Sequence, residues 1–338
     1  MAKSNSYQPP FTITPAILNL VAQISEAIGR LTVLADTAKT LRLRRINRIR
    51  TIHGSLAIEG NTLSEAQITA ILDGKRVIAP PREVQEVKNA LAAYDRFGTW
   101  RPEAEKDLLE AHRLLMSGLI DEAGMYRHGG VGVMAGQQVI HMAPPADRVP
   151  QLMGDLFGWL AAADAHPLIA SSVFHYEFEF IHPFADGNGR MGRLWQSLIL
   201  TRWNPLFADI PVESLIFEHQ AEYYQVLQES TRQTDSAPFI AFMLRMILDT
   251  VTTSTPEVAQ EVTPEVRLLA AFAGEMARQQ LKTTLGLRDD EHFRKAYLLP
   301  ALEAGWIEMT IPDRPRSSKQ KYRLTDKGRQ WLAQHGNG

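Results

Sequence analysis

Residues 182–193 read His-Pro-Phe-Ala-Asp-Gly-Asn-Gly-Arg-Met-Gly-Arg, and this run limits what the chain can become more than any other part of it. Helical patterning precedes it over about 166–181 and follows it over about 190–203, so the run must be a tight connection between two helices. Gly187, Asn188 and Gly189 can take left-handed conformations that turn successive N–H groups into one anion-binding concavity. A helix starting near Arg190 would aim its positive end at the same anion. Arg190 and Arg193, at i,i+3, place two guanidinium forks on one face of that helix. Asp186 offers a hard oxygen ligand for the Mg²⁺ that accompanies phosphates. His182 is the one group here whose ordinary pKa suits proton uptake near neutrality. Together these residues suit a nucleotide phosphate; the plain alternative is a Gly-Asn-Gly turn with incidental charges. A Walker-type loop ending in Lys-Ser/Thr is absent.

The rest of the chain sets bounds. At 338 residues it can hold two or three domains. A net charge of −2 argues against a protein that coats nucleic acid by bulk charge alone. With no cysteine, disulfides, thiol catalysis and Cys-based zinc sites are excluded. The polar start carries no secretory signal, and no apolar run approaches membrane-spanning length, so the expected location is cytoplasmic, without a membrane partner. Helical patterning is expected over about 14–35, 40–58, 84–97, 103–117, 149–163, 166–181, 190–203, 218–228 and 238–252, with Ser64 capping a further segment. Between 126 and 142 the pattern turns to Gly-rich β-branched alternation, a hairpin turning at Gly136-Gln137-Gln138. Residues 251–263 are rich in Thr, Ser, Pro, Glu and Val and read as a linker. Beyond it come helical stretches (about 264–278, 281–287 and 289–304) and two strands around a Pro/Arg/Ser turn, the pattern of a winged helix-turn-helix.

The run 182–193 matches every specified position of HPFx[DE]GNGRxxR and so resembles the Fic family, enzymes that transfer AMP from ATP to protein hydroxyls. The resemblance implies a protein adenylyltransferase. His182 would be the general base toward a Ser, Thr or Tyr hydroxyl, and Asp186 would hold Mg²⁺. Gly187, Asn188 and Gly189 would cradle phosphate, the Asn188 side chain adding a donor. Arg190 and Arg193 would neutralise the polyphosphate. Phe184 counts among the ATP-site residues as the packing residue that fixes the loop. Ser55-Leu56-Ala57-Ile58-Glu59-Gly60 resembles the family's inhibitory signature [ST]xxxE[GN], here N-terminal to the catalytic run. Ser55 and Glu59 share one helix face, and Glu59 would reach the ATP site and pair with Arg193, removing its γ-phosphate contact. Read alone, the pattern is also that of an ordinary helix end with a solvated Glu.

The hairpin at 131–142 resembles the family's flap, whose edge would hold the target protein by β-augmentation; a decorative hairpin is the alternative. Tyr223 and Tyr224 stand where the family often places adenine contacts, although aromatics so spaced are more often core. Where the family often carries an Asn beyond that pair, this chain has Ser230-Thr231. The run Arg42, Arg44, Arg45, Arg48 and Arg50 is interrupted by Leu41, Ile46 and Ile49 and reads as a solvated helix face. His175 lacks companions for a metal set and reads as structural. The tail carries Arg314, Arg316, Lys319, Lys321, Arg323, Lys327 and Arg329 against Asp313 and Asp326, seven cations against two anions and a local +5. That suits either DNA or a protein contact through the winged helix.

The expected fold is mainly α: an N-terminal helical region (1–100) with the inhibitory motif, a Fic-type core (101–250) with its flap, the linker (251–263) and the winged helix (264–338). Two other readings stay open, an enzyme that removes AMP at the same site and a nucleotide-sensing transcription regulator. Monomer and homodimer are both compatible with the sequence.

Overall fold

Helices α1 (Pro15–Leu34) and α2 (Thr40–Ile58) come first, then α3 (Glu65–Leu72), α4 (Pro81–Arg96) and α5 (Glu105–Leu115). Their starts follow local chemistry. Ser64 caps α3 by accepting from the Gln67 N–H while Gln67 accepts from the Ser64 N–H, a reciprocal box. Pro81 begins α4, where a missing N–H costs nothing. Strands β1 (Gly132–Ala135) and β2 (Gln138–Met142) pair antiparallel, with an irregularity between Val133 and Met134. Then follow α6 (Val149–Ala162), α7 (Pro167–Ile181), α8 (Asn188–Trp203), α9 (Val212–Glu218), α10 (Gln220–Gln233) and α11 (Ala237–Gln260).

This computed structural model describes residues 7–34, 40–135, 138–260, 268–272, 274–287, 289–314, 317 and 319–335. The chain divides into two units, residues 1–28 with 44–252 and residues 29–43 with 253–338. In the larger unit α7 is the central helix. Thirteen of its fifteen residues are buried, as befits a helix apolar on every side. Phe174 packs on Phe157 of α6. Trp195 of α8 is fully buried and donates from its indole N–H to Pro102 O at 2.9 Å. Among the described residues no helix is long and apolar enough to cross a membrane.

The smaller unit holds β3 (Met276–Ala277), α12 (Arg278–Thr284), α13 (Asp290–Phe293), a π turn (Arg294–Leu298), α14 (Leu299–Glu303), β4 (Ile307–Met309), β5 (Lys321–Leu324) and α15 (Asp326–His335). The strands form one antiparallel sheet in the order β3-β5-β4. Leu281, Phe293, Tyr297, Ile307 and Tyr322 form its core.

The mainly α fold with small antiparallel sheets agrees with expectation; several boundaries do not. The regions expected as 1–100 and 101–250 lie in one unit, apart from residues 29–43. The expected linker is helical as far as Gln260. β-Branched residues cost a helix only tenths of a kcal/mol each, and the Thr250 and Thr252 hydroxyls donate back to Met246 O and Leu248 O. Residues 261–263 lie outside the described residues. β3 falls within a stretch read as helix. Helix α9 was not expected; Pro205 and Pro211 punctuate the sequence there and mask its period. In the hairpin, Gln138 pairs with Ala135 as part of β2 instead of the turn, and 136–137 lie outside the described residues.

Candidate active site

The connection between α7 and α8 is held by its own backbone and four buried side chains. His182 ends α7 in a left-handed conformation (φ 50°), its N–H donating to Phe178 O at 2.9 Å. Asn188 closes the loop: Oδ1 accepts from Phe184 N at 2.9 Å and Nδ2 donates to Phe184 O at 2.8 Å. Phe184 is fully buried and stacks on His112, with centroids 3.6 Å apart and planes at 4°. His112 Nδ1 accepts from Gly124 N, so Nε2 carries the proton and donates to Asp186 O at 2.9 Å. Burial pushes the His112 pKa down to about 4. Arg127, also buried, donates to Ile181 O and His182 O at the negative end of α7, and to Gly129 O and Pro144 O at the two feet of the hairpin. One guanidinium thereby fixes the hairpin against the His182 loop.

Of the expected left-handed trio only Gly187 is left-handed (φ 86°). Asn188 and Gly189 already belong to α8, so the expected anion concavity is instead the first turn of a helix, whose N–H groups have no intrahelical partner. The Asn188 amide is spent on the loop, not presented as a phosphate donor. Phe184 supplies packing, and its N–H and C=O are both engaged by Asn188.

Two ion-pair groups face this turn. Arg193 is 1% exposed and donates to Glu59 Oε1 at 2.7 Å, to Ser55 O at 2.9 Å and to Ser55 Oγ at 3.2 Å. Burial is the largest influence and works against its charge, but Glu59, Tyr223 and Glu179 together more than offset it and the net shift is upward. The Glu59 carboxylate occupies the place a Cβ on Gly189 would take, so it lies directly on the α8 N-terminus. In the second group Asp186 accepts from Gly187 N at 2.6 Å, Arg190 at 2.9 Å and Arg82 of α4 at 3.0 Å. Glu86 of α4 lies 3.5 Å from Arg190 and accepts from Asn61, just past α2.

His175 is buried between Gln196 (2.6 Å) and the Tyr223 hydroxyl (3.1 Å), a structural role. Tyr223 is 1% exposed and packs on Phe239 and Phe242, so it is core and not a nucleotide contact. Tyr224 is half-buried beside it. Three arginines of α2 are ion-pair pins: Arg44 reaches Asp209 at 2.9 Å, Arg45 pairs with Asp73, and Arg48 reaches Asp95 at 2.8 Å. Arg42 lies outside the side chains described. Sequence reasoning missed His112, Arg127, Arg82, Glu86 and the buried Glu179; none stands in a motif.

With the geometry in place, the comparisons with known proteins agree. A family model described as Fic/DOC family matches residues 102–200, and another, the C-terminal domain of "Filamentation induced by cAMP protein Fic-like", matches 264–325. A solved Fic family protein from Desulfovibrio desulfuricans is 57% identical, with a TM-score of 0.74 over 95% of this chain and 99% of that one. The chain belongs to the Fic family. Curated relatives named "Protein adenylyltransferase Fic" include one from Aedes aegypti, 31% identical over 72% of this chain and 52% of its own length. Another, from Nematostella vectensis, is 31% identical over 57% of this chain and 45% of its own. The chain spans about half the length of these Fic relatives.

Proposed function

We propose that this Fic protein transfers AMP from Mg-ATP to a Ser, Thr or Tyr hydroxyl of a target protein, and that Glu59 holds it in an inhibited state. The observation that carries the reading is the buried Arg193, gripped by Glu59 and Ser55 beside the α8 N-terminus.

The first turn of α8 and Arg190 receive the polyphosphate, where helix N–H groups and a guanidinium stabilise charge. His182 takes the proton of the incoming hydroxyl. Its oxygen then bonds to the α-phosphorus in line, and the bond to pyrophosphate breaks. Among the described residues no group of three His, Asp or Glu could cage a metal ion. The single carboxylate of Asp186, 38% exposed, fits a Mg²⁺ that arrives with phosphates and keeps most of its waters. When bound, it would neutralise phosphate charge. The pairing of Asp186 with Arg82 must open for this. The hairpin, tied by Arg127 to the His182 loop, would present the target by strand addition. Tyr224, at the rim, remains the candidate for adenine.

A second reading rests on the 31% exposure of Glu59: a reachable carboxylate on the phosphate-binding turn can position water and remove AMP. For the smaller unit we propose a winged helix whose basic turn contacts a phosphate backbone. Incubation with α-labelled and γ-labelled ATP tests the main reading. Glu59→Gly should incorporate α-label, not γ-label, far above the unsubstituted chain, and adding His182→Ala should remove about 10²–10⁴-fold of that rate. Unchanged incorporation with lost removal of AMP from a modified target would favour the second reading; no change in either would end the inhibitory assignment.

A further inference from the structure

His182 presents one ring nitrogen to the protein interior. Its Nδ1 is buried without a hydrogen-bond partner. Facing it at 3.8 Å is Oε2 of Glu179, one turn earlier on α7 and 7% exposed. The separation is too long for a hydrogen bond but well within Coulombic range at a buried site. Oε1 of the same carboxylate has no hydrogen-bond partner either and lies 3.7 Å from His175 Nε2. A buried carboxylate short of hydrogen bonds is costly unless the surrounding charge holds it. Burial alone would raise the Glu179 pKa, but His175, His182 and Arg193 more than offset it, and the carboxyl is held below its ordinary value.

We propose that Glu179 is the positioning residue of the general base. Its charge sets His182 with the proton on Nδ1, leaves the Nε2 lone pair for the substrate hydroxyl, and stabilises the imidazolium formed when that proton is taken. This rests on the transfer reading given above. The hydroxyl proton goes to Nε2 while Nδ1 keeps its own, and Glu179 stays ionised. The helix dictates the pairing: residues three apart share a face, and the left-handed turn at 182 folds the ring back over α7.

Other groups acting on the pair come from several elements. His175 lies on α7 itself, Arg193 on α8, and Tyr223 and Tyr224 on α10. Arg127 donates to the His182 carbonyl, and Glu59 acts through Arg193. The Tyr223 phenol is pushed well above its usual range by burial and stays neutral. In the inhibited state Arg193 divides its charge between Glu59 and Glu179. Arg193 turned toward phosphate would leave Glu179 more fully to His182.

The test is histidine-selective NMR of the full chain, with labelling kinetics in the Glu59→Gly background. The unsubstituted chain should show His182 in the Nδ1–H tautomer, a readout that needs no variant. Glu179→Gln, matched in shape, should shift that population toward Nε2–H and cut kcat at least tenfold, with KM for ATP unchanged. Glu179→Asp, which keeps the charge a methylene further off, should recover most of the Nδ1–H population. An Nε2–H tautomer in the unsubstituted chain, or an unmoved tautomer in a folded Glu179→Gln protein, overturns the proposal. A shifted tautomer without any AMP transfer from ATP would leave the pair standing and end the transfer reading instead.

Discussion

Asn188 and His112 illustrate how polar side chains are spent on shape. The Asn188 amide closes the loop on Phe184, and the His112 ring lies flat on the Phe184 ring while holding Asp186 by its carbonyl. A neutral imidazole is required for this, and burial keeps it neutral down to about pH 4. The unfolded chain takes up that proton near pH 6.5, so the stabilisation is whole above 6.5 and is lost as pH falls through 4, about 1.4 kcal/mol per pH unit in that window. Denaturant unfolding at pH 7 and pH 5 should therefore show a stability drop that His112→Gln flattens, with the variant weaker at pH 7. An equal drop in both proteins would detach the loop from His112. The 182–193 connection and the family it marks were legible in the sequence because its parts are contiguous. His112, Arg127 and Glu179 were not, because what selects them is burial beside a distant backbone carbonyl or ring. Tyr223 misled for the same reason: an aromatic near the site looks alike in sequence whether it faces ligand or core.

Helix α2 brings Glu59 to Arg193, and a glycine sets how closely it approaches. A Cβ on Gly54 would meet Glu213 backbone atoms at 2.6 Å and Ser214 N at 2.7 Å on α9, so Gly54→Ala must push the helices apart. The expected cost is about 1–3 kcal/mol, and AMP transfer should rise in the direction of Glu59→Gly as Glu59 retreats from Arg193. A lower melting temperature without added transfer would show that the Glu59–Arg193 contact survives the shift or does not restrain transfer. Helix α4 adds a second clasp through Arg82 on Asp186 and Glu86 near Arg190. Arg82→Ala should lower the Mg²⁺ concentration needed for nucleotide binding, followed by calorimetry; an unchanged requirement would mean Arg82 never competes. The existence of α2, α7 and α8 was legible from period and caps. That α9 lies against Gly54 was not, since a glycine in a helix announces a close approach without naming the partner.

Across the whole molecule, charge is less lopsided than the tail's sequence suggests. Arg323 pairs with Glu308 and Glu275, Arg329 with Asp326, and Lys327 caps Ala304 O, so the local excess is partly neutralised on the sheet itself. Arg314, Lys319 and Lys321 are exposed and have no ion pair among the described residues. If they contact DNA, binding should weaken steeply with salt, and Lys319→Glu with Lys321→Glu should flatten that slope by about one per contact removed. Salt-independent binding, or none at low ionic strength, would favour a protein contact. Glu59 rests where a side chain on Gly189 would stand, which closes one evolutionary escape route. A methyl group there would displace the Glu59 carboxylate, yet would itself stand on the helix end where the proposed function places phosphate. On that proposal, a lineage selected for unrestrained activity is left with the arm that reaches in, at Gly54, Ser55 or Glu59, and gains nothing by changing the seat.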